Sequence, residues 1–150
     1  MATKKEIVKN LIISYWMEIE TVMNYIANSI NLDGVRAEEI KKSLQADIAE
    51  EITHAQTLAK RIKEIDGVVP GSFDFKAEQK YLQPPKDSTD VVSVIEGVLK
   101  AEEGAIAQYN KIIKLCEGVD YVTQDLVISL LAQEESHKIE FRGFLKEYKK

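Results

Sequence analysis

The sequence predicts an all-α fold, a bundle of four helices with one long crossover between the second and the third. Three observations predict it. Apolar residues recur at three- and four-residue steps through most of the chain, the pattern of helices that bury one face. Seven glycines and three prolines in 150 residues leave too little punctuation for many short strands. The connections between the periodic segments are short, long, short.

The first helix is expected over about 3–31, with a stripe Ile7, Leu11, Tyr15, Glu18, Val22, Tyr25 and Ser29. Thr3 with Glu6 forms a capping box at its start, and Gly34 supplies a stop. The second, about 36–66, carries Ile40, Leu44, Ile48, Glu51, His54, Leu58, Ile62 and Ile65 and ends at Gly67. The third, about 89–117, runs Val91, Ile95, Val98, Glu102, Ala105, Tyr109, Ile112 and Cys116 up to Gly118. The fourth, about 120–148, runs Val127, Leu130, Glu134, His137, Phe141, Leu145 and Tyr148.

Residues 31–35 and 117–119 are loops short enough to make two antiparallel hairpins. The crossover, about 67–88, contains Pro70, Gly71, Pro84 and Pro85. Helices of roughly 28 residues are about 40 Å long, and an extended segment of this length can climb that height. Helices two and three are then parallel. Within the crossover, the piece from Phe75 to Leu82 is expected either to be locally helical or to pack its aromatics on the bundle. Residues 1–150 read as a single domain.

Apolar residues at 45% and charged residues at 30% are ordinary for a globular chain and argue against disorder. A formal net charge of −5 excludes nucleic acid as a main partner, because neutralising phosphates requires a basic face. Lys4, Lys5 and Lys9 at one end and Lys146, Lys149 and Lys150 at the other read as solvated helix ends. No long apolar run marks a signal peptide or a membrane span. The single cysteine, Cys116, rules out an internal disulfide and fits a buried small hydrophobe. A cytoplasmic location is expected.

Each stripe is interrupted near its middle by a glutamate: Glu18, Glu51, Glu102 and Glu134. Side by side, the four share one layer of the core. The only two histidines, His54 and His137, each follow one of these glutamates by three residues, so each pair points the same way from its helix. Tyr25 and Tyr109 each follow one of the other two by seven, and the chain reads as two similar hairpins. Four buried carboxylates are costly as bare anions. Two divalent cations supply the matching charge, and carboxylate-rich ligation with one imidazole per ion suits iron or manganese better than structural zinc.

The neighbouring Glu20, Glu50, Glu103 and Glu135 lie off the stripes and are expected at the surface. Helical phase and Tyr109 select Glu102 over Glu103. Trp16 and Phe141 are packing or subunit contacts. Asp47, one turn before Glu51, either handles iron in transit or is solvated or capping.

The order Glu, Glu-x-x-His, Glu, Glu-x-x-His resembles the ferritin-like superfamily, and most closely the bacterioferritins. The resemblance covers nearly the whole chain and includes the Glu-x6-Tyr of the first helix. It also includes the segment Asp120-Tyr-Val-Thr-Gln-Asp125 leading to Gln133-Glu-Glu-Ser-His137. It implies that Glu18, Glu51, His54, Glu102, Glu134 and His137 hold two iron ions per subunit, with manganese or zinc as substitutes. By the same resemblance Glu51 and Glu134 are the bridges and Tyr25 orients a ligand carboxylate. Tyr109 has either a similar role or that of a plain core aromatic. The implied activity is that of a ferroxidase, oxidising Fe(II) to Fe(III) with O2 or H2O2 for iron storage or detoxification.

Two departures narrow the expectation. Bacterioferritins bind haem through a methionine just after the first Glu-x-x-His glutamate, and Ile52 stands there, so haem is not expected. The chain ends about 13 residues after His137, short of the fifth helix of ferritins and bacterioferritins. Of the homo-oligomers in the range from a dimer to a 12- or 24-subunit shell, the 24-subunit cage is therefore disfavoured and a 12-subunit shell or a dimer is left open. Miniferritins of the starved-cell DNA-protection type build their site between subunits from a different spacing, whereas this chain carries a full set within one bundle. Two other functions compete with iron oxidation. One is a rubrerythrin-like peroxidase, which would need an external electron donor because no Cys-x-x-Cys pair is present. The other is a non-catalytic assembly bundle with a structural metal.

Overall fold

The computed structural model describes residues 1–149. Its helices are α1 (Lys4–Asn31), α2 (Glu38–Glu64), α3 (Val91–Cys116) and α4 (Tyr121–Tyr148), and among the described residues there is no strand. Single 3-10 turns occupy Val35–Ala37, Ser72–Asp74 and Lys80–Leu82.

Helices α1, α3 and α4 each start where a side chain satisfies an exposed backbone donor of the first turn, whereas α2 continues from the turn Val35–Ala37 with no side-chain cap. Thr3 Oγ1 accepts from the Glu6 N–H and Glu6 answers by accepting from the Thr3 N–H, both at 3.1 Å. Asp90 and Asp120 cap α3 and α4 by accepting from Ser93 and Thr123. At the end of α1, Gly34 adopts φ +97°, the left-handed region that favours glycine, and turns the chain into the second helix. Arg61, in the last turn of α2, donates to Asp120 and Thr123 and so ties that end to the start of α4.

Contacts set the directions. Lys4 near the start of α1 reaches Asp66 just past α2, so the first hairpin is antiparallel. Tyr25 bonds to Glu102 and Tyr109 to Glu18, so α3 is antiparallel to α1 and parallel to α2. The long crossover makes that possible, and it is pinned along its length. Gly97 of α3 lies so close beneath it that a Cβ there would sit 2.4 Å from the Tyr81 carbonyl oxygen. Asn24 donates to Gln79, and Asn28 to the Leu82 carbonyl. Trp16 packs against Phe75 at 5.3 Å between ring centroids, an intramolecular contact. Both expected options for Phe75 to Leu82 therefore coexist: an aromatic packed on the bundle and a short helical turn at its end.

Glu20 corrects an expectation. It is buried rather than at the surface, and its carboxylate accepts the backbone N–H groups of Glu78 and Gln79 at 2.8–3.0 Å. The crossover covers this flank of α1, and its peptide donors need a buried acceptor. Nothing in the helical phase of α1 shows what lies across that face.

The core divides in two. One apolar cluster holds Tyr25, Leu32, Ile40, Leu44, Leu82, Val91, Ile95, Val98 and Phe141. The other holds Ile7, Leu11, Leu58, Ile62, Tyr109, Ile112, Cys116, Val127 and Leu130. Between them runs a layer of buried ionisable side chains. No helix among the described residues is long and apolar enough to cross a membrane.

Candidate metal centre

All four mid-stripe glutamates and both histidines lie in that layer, each with no more than 6% of its surface exposed. Each helix contributes at its midpoint because the three- and four-residue steps that bury the apolar stripe carry the glutamate to the same inner line. Glu102 is the inward member of its pair, while Glu103 is exposed and faces Lys138 at 3.9 Å. Glu135 is exposed.

The side chains form two overlapping groups. Glu18, Glu51, His54 and Glu134 offer atoms within 4.8 Å of one another, and so do Glu51, Glu102, Glu134 and His137. Glu51 and Glu134 belong to both. Glu134 turns Oε1 to His54 Nδ1 at 3.0 Å and Oε2 to His137 Nδ1 at 3.9 Å. Glu51 turns Oε2 to His54 Nδ1 at 3.7 Å and Oε1 to His137 Nδ1 at 3.5 Å. The imidazole rings are nearly parallel, with centroids 6.5 Å apart.

The two tyrosines cross the bundle. Tyr25 of α1 donates to Glu102 of α3, and Tyr109 of α3 donates to Glu18 of α1, each at 2.7 Å. Each phenol thus fixes a carboxylate that comes from the other hairpin. Burial raises both phenols well above their ordinary value, with the nearby carboxylates adding to it, so both remain donors.

Protons must offset this much buried negative charge. Burial alone would lower the imidazoles, but hydrogen bonds to Glu134 and Glu51 outweigh it: His54 is pushed up to about 10 and His137 up to about 12. Burial and Glu134 hold Glu102 well above the usual carboxylate range. Glu134 is held low, because Glu102 and both histidines share protons with it and outweigh its burial. Even so, Glu18 Oε2, Glu51 Oε1, Glu102 Oε2 and His137 Nδ1 are buried with no hydrogen-bond partner. Buried oxygen and nitrogen donors without partners, set in two overlapping groups, suit a pair of borderline-hard cations, and the donor set fits iron or manganese.

Three groups outside this layer escaped the sequence reading in whole or in part. Asp47 is buried, not solvated, with Oδ1 3.6 Å from His137 Nε2; burial raises it to about 6 against the lowering effect of His137. Glu50 is half-exposed and hydrogen-bonds His137 Nε2. Gln133 Oε1 lies 2.6 Å from His54 Nε2. A cleft of about 610 Å³ opens between α2 and α4 on this side, with Glu50 and Gln133 exposed and Asp47 and His137 buried in its lining. The contacts depend on the α2–α4 register over separations of 79 to 90 residues, which no local pattern reports.

These features are those of a ferritin-like di-iron-carboxylate fold with a candidate carboxylate metal site. The chain belongs to the ferritin family of ferritin-like domains, whose model matches residues 14–150. It is 27% identical over 131 residues to the DNA protection during starvation protein of Pyrococcus furiosus, covering 85% of this chain and 70% of that protein. It is also 25% identical over 122 residues to the bacterioferritin of Desulfovibrio desulfuricans, covering 81% of this chain and 64% of the relative. The bacterioferritin of Brucella melitensis is 26% identical over 138 residues, covering 91% and 81%. Among solved structures, a ferritin-like diiron-carboxylate protein of Bacillus anthracis superposes with a TM-score of 0.83 at 21% identity, over 97% of this chain and 99% of that one. The dodecameric thioferritin of Bacteroides fragilis gives 0.84 at 23% identity, over 98% and 88%. Both share the fold.

Proposed function

We propose that the chain is a ferroxidase of the bacterioferritin type, binding two Fe(II) ions as substrate and oxidising them to Fe(III). The observation that carries this reading is the pair Glu51 and Glu134, each of which presents one oxygen to either half of the layer. Glu18 with His54 and Glu102 with His137 complete the two positions, and the four orphaned atoms supply donors. Each Fe(II) yields one electron. A pair held together delivers the two electrons that, with two protons, convert O2 to H2O2 or H2O2 to two waters. Shared carboxylates hold the donors adjacent, so a one-electron product is not released. The cleft beside Glu50 and Gln133 gives the layer access to solvent.

The relatives support iron as the metal and assembly as the working state. Met23, Ile26 and Ile30 lie on one exposed face of α1 and supply apolar surface for a homo-oligomer. The size of that assembly, and a cytoplasmic location, belong to the same proposal. Following ferric absorbance after aerobic addition of Fe(II) tests the reading. Oxidation well above the buffer rate is expected for the wild type, and the buffer rate for Glu51→Ala. Equal rates for the two would overturn it. Particle mass and iron content after loading separate storage, with many irons per subunit, from a two-metal redox enzyme.

A further inference from the structure

The two halves of the metal layer are matched on the inside and unmatched on the outside. Both histidines turn Nδ1 inward, to Glu18, Glu51 and Glu134 in one case and to Glu51, Glu102 and Glu134 in the other. A neutral imidazole that gives Nδ1 to a metal must carry its proton on Nε2. What accepts that proton then tunes the ligand. For His54 it is the neutral amide oxygen of Gln133 at 2.6 Å. For His137 it is the carboxylate of Glu50, with the buried Asp47 carboxylate 3.6 Å away. Asp47 keeps Oδ2 buried and without a hydrogen-bond partner, so its charge is poorly screened.

Resting on the dinuclear reading above, we infer that Glu50 with Asp47, against Gln133, makes the two metal positions unequal. The position formed by His137 and Glu102 fills first and holds its ion more tightly; the position formed by His54 and Glu18 fills second. A carboxylate accepting from Nε2–H polarises the ring, makes Nδ1 the better donor, and fixes the ring's orientation with a charge-assisted bond. The amide does the second of these and little of the first. Two extra carboxylates beside His137 also raise its local attraction for a cation. Glu50, Asp47 and Gln133 act through the histidines and are positioning residues.

The test is a titration of the metal-free full chain with Co(II) under anaerobic conditions, followed by calorimetry and by the cobalt absorption bands. Two one-ion steps with dissociation constants at least about tenfold apart are expected for the wild type. Repulsion between two cations would also split the steps, so the variants decide. Glu50→Gln should weaken the tighter step by about 10- to 100-fold and leave the other, bringing the two together. Gln133→Glu should strengthen the weaker step. A crystal exposed to one equivalent of Co(II) should show its anomalous peak beside His137. Equal steps in the wild type, equal weakening of both steps by Glu50→Gln, or a first peak beside His54 would overturn the inference while leaving the dinuclear site intact. Absence of any Co(II) uptake would remove the dinuclear reading itself. Thermal unfolding of each variant in chelator shows whether the fold is kept; Glu50 is half-exposed, so its replacement does not disturb the core.

Discussion

The two apolar clusters at the ends of the bundle and the charged layer between them are built on opposite principles. At the ends, Leu44, Ile95 and Phe141 on one side and Leu58, Ile62 and Ile112 on the other are buried hydrophobes that stabilise the fold by leaving water. In the middle, four carboxylates and two imidazoles are equally buried, yet they are held by shared protons and leave several atoms without partners. The ends hold the structure in place, and the middle is a layer of buried ionisable groups that the ends keep together. The difference teaches that stability and chemistry are separable here, and substitutions in the two regions should fail in different ways.

The sharpest break is expected in the middle. Glu51→Gln keeps the side-chain volume but removes the shared anion, so the two Fe(II) ions lose their common ligand, and oxidation should fall by roughly a hundredfold or more. The same change should alter the stability of the metal-free protein little, since an amide oxygen still accepts from the histidines and one of the four buried carboxylates is gone. Chemical denaturation in chelator measures the second half; a large loss of stability there would erase the distinction between the regions. Next in size are substitutions at the ends. Leu44→Ala or Ile62→Ala should each cost about 2–5 kcal/mol, from lost burial and the cavity left behind, while iron oxidation below the unfolding transition stays within a factor of two or so. A parallel loss of oxidation would mean that end packing sets the site geometry directly.

Acidity separates the regions in a third way. Both histidines bind protons more tightly folded than unfolded, up to about 10 for His54 and about 12 for His137. Their contribution to metal-free stability is therefore complete below the ordinary histidine value near 6.5 and lost as pH rises from there toward those values. Metal binding displaces the same protons, so its stabilisation grows over that range. Thermal unfolding at pH 6 and pH 9 should show the chelated protein less stable at pH 9 and the gap between chelated and metal-loaded protein wider. A chelated protein equally stable at both would contradict protonated histidines in the folded layer.

Much of this division was legible in the sequence. The stripes at helical steps and the glutamate that interrupts each of them are local patterns, and so is the choice of Glu102 over Glu103, which helical phase decides. What lay beyond reach was set by register between distant segments. The burial of Glu20 depends on a crossover passing over α1 and presenting the N–H groups of Glu78 and Gln79. The roles of Gln133 and Glu50 depend on which histidine of the facing helix each one meets. A residue one position from a member of the buried layer lies about 100° round the helix, so its own helix gives no hint of a contact that a neighbouring helix creates.

The smallest effect, and the finest test of the boundary, concerns the two phenols that belong to both regions. Tyr25 packs in one apolar cluster and Tyr109 in the other, yet each sends its hydroxyl into the layer. Tyr109→Phe leaves Glu18 Oε1 without its donor when Oε2 already has none, an unsatisfied buried acceptor worth about 1–3 kcal/mol. Tyr25→Phe removes the equivalent bond to Glu102, but burial and Glu134 already favour the protonated form of that carboxyl, and the Tyr25 bond works against it. A neutral acceptor loses less when its donor goes, because the bond it gives up was not charge-assisted. In chelator, Tyr109→Phe should therefore be the more destabilising of the pair, measured by denaturant midpoint at neutral pH. With metal bound both glutamates are ionised ligands, and the two variants should then differ little in affinity. An order reversed in chelator would contradict a protonated Glu102 in the metal-free layer.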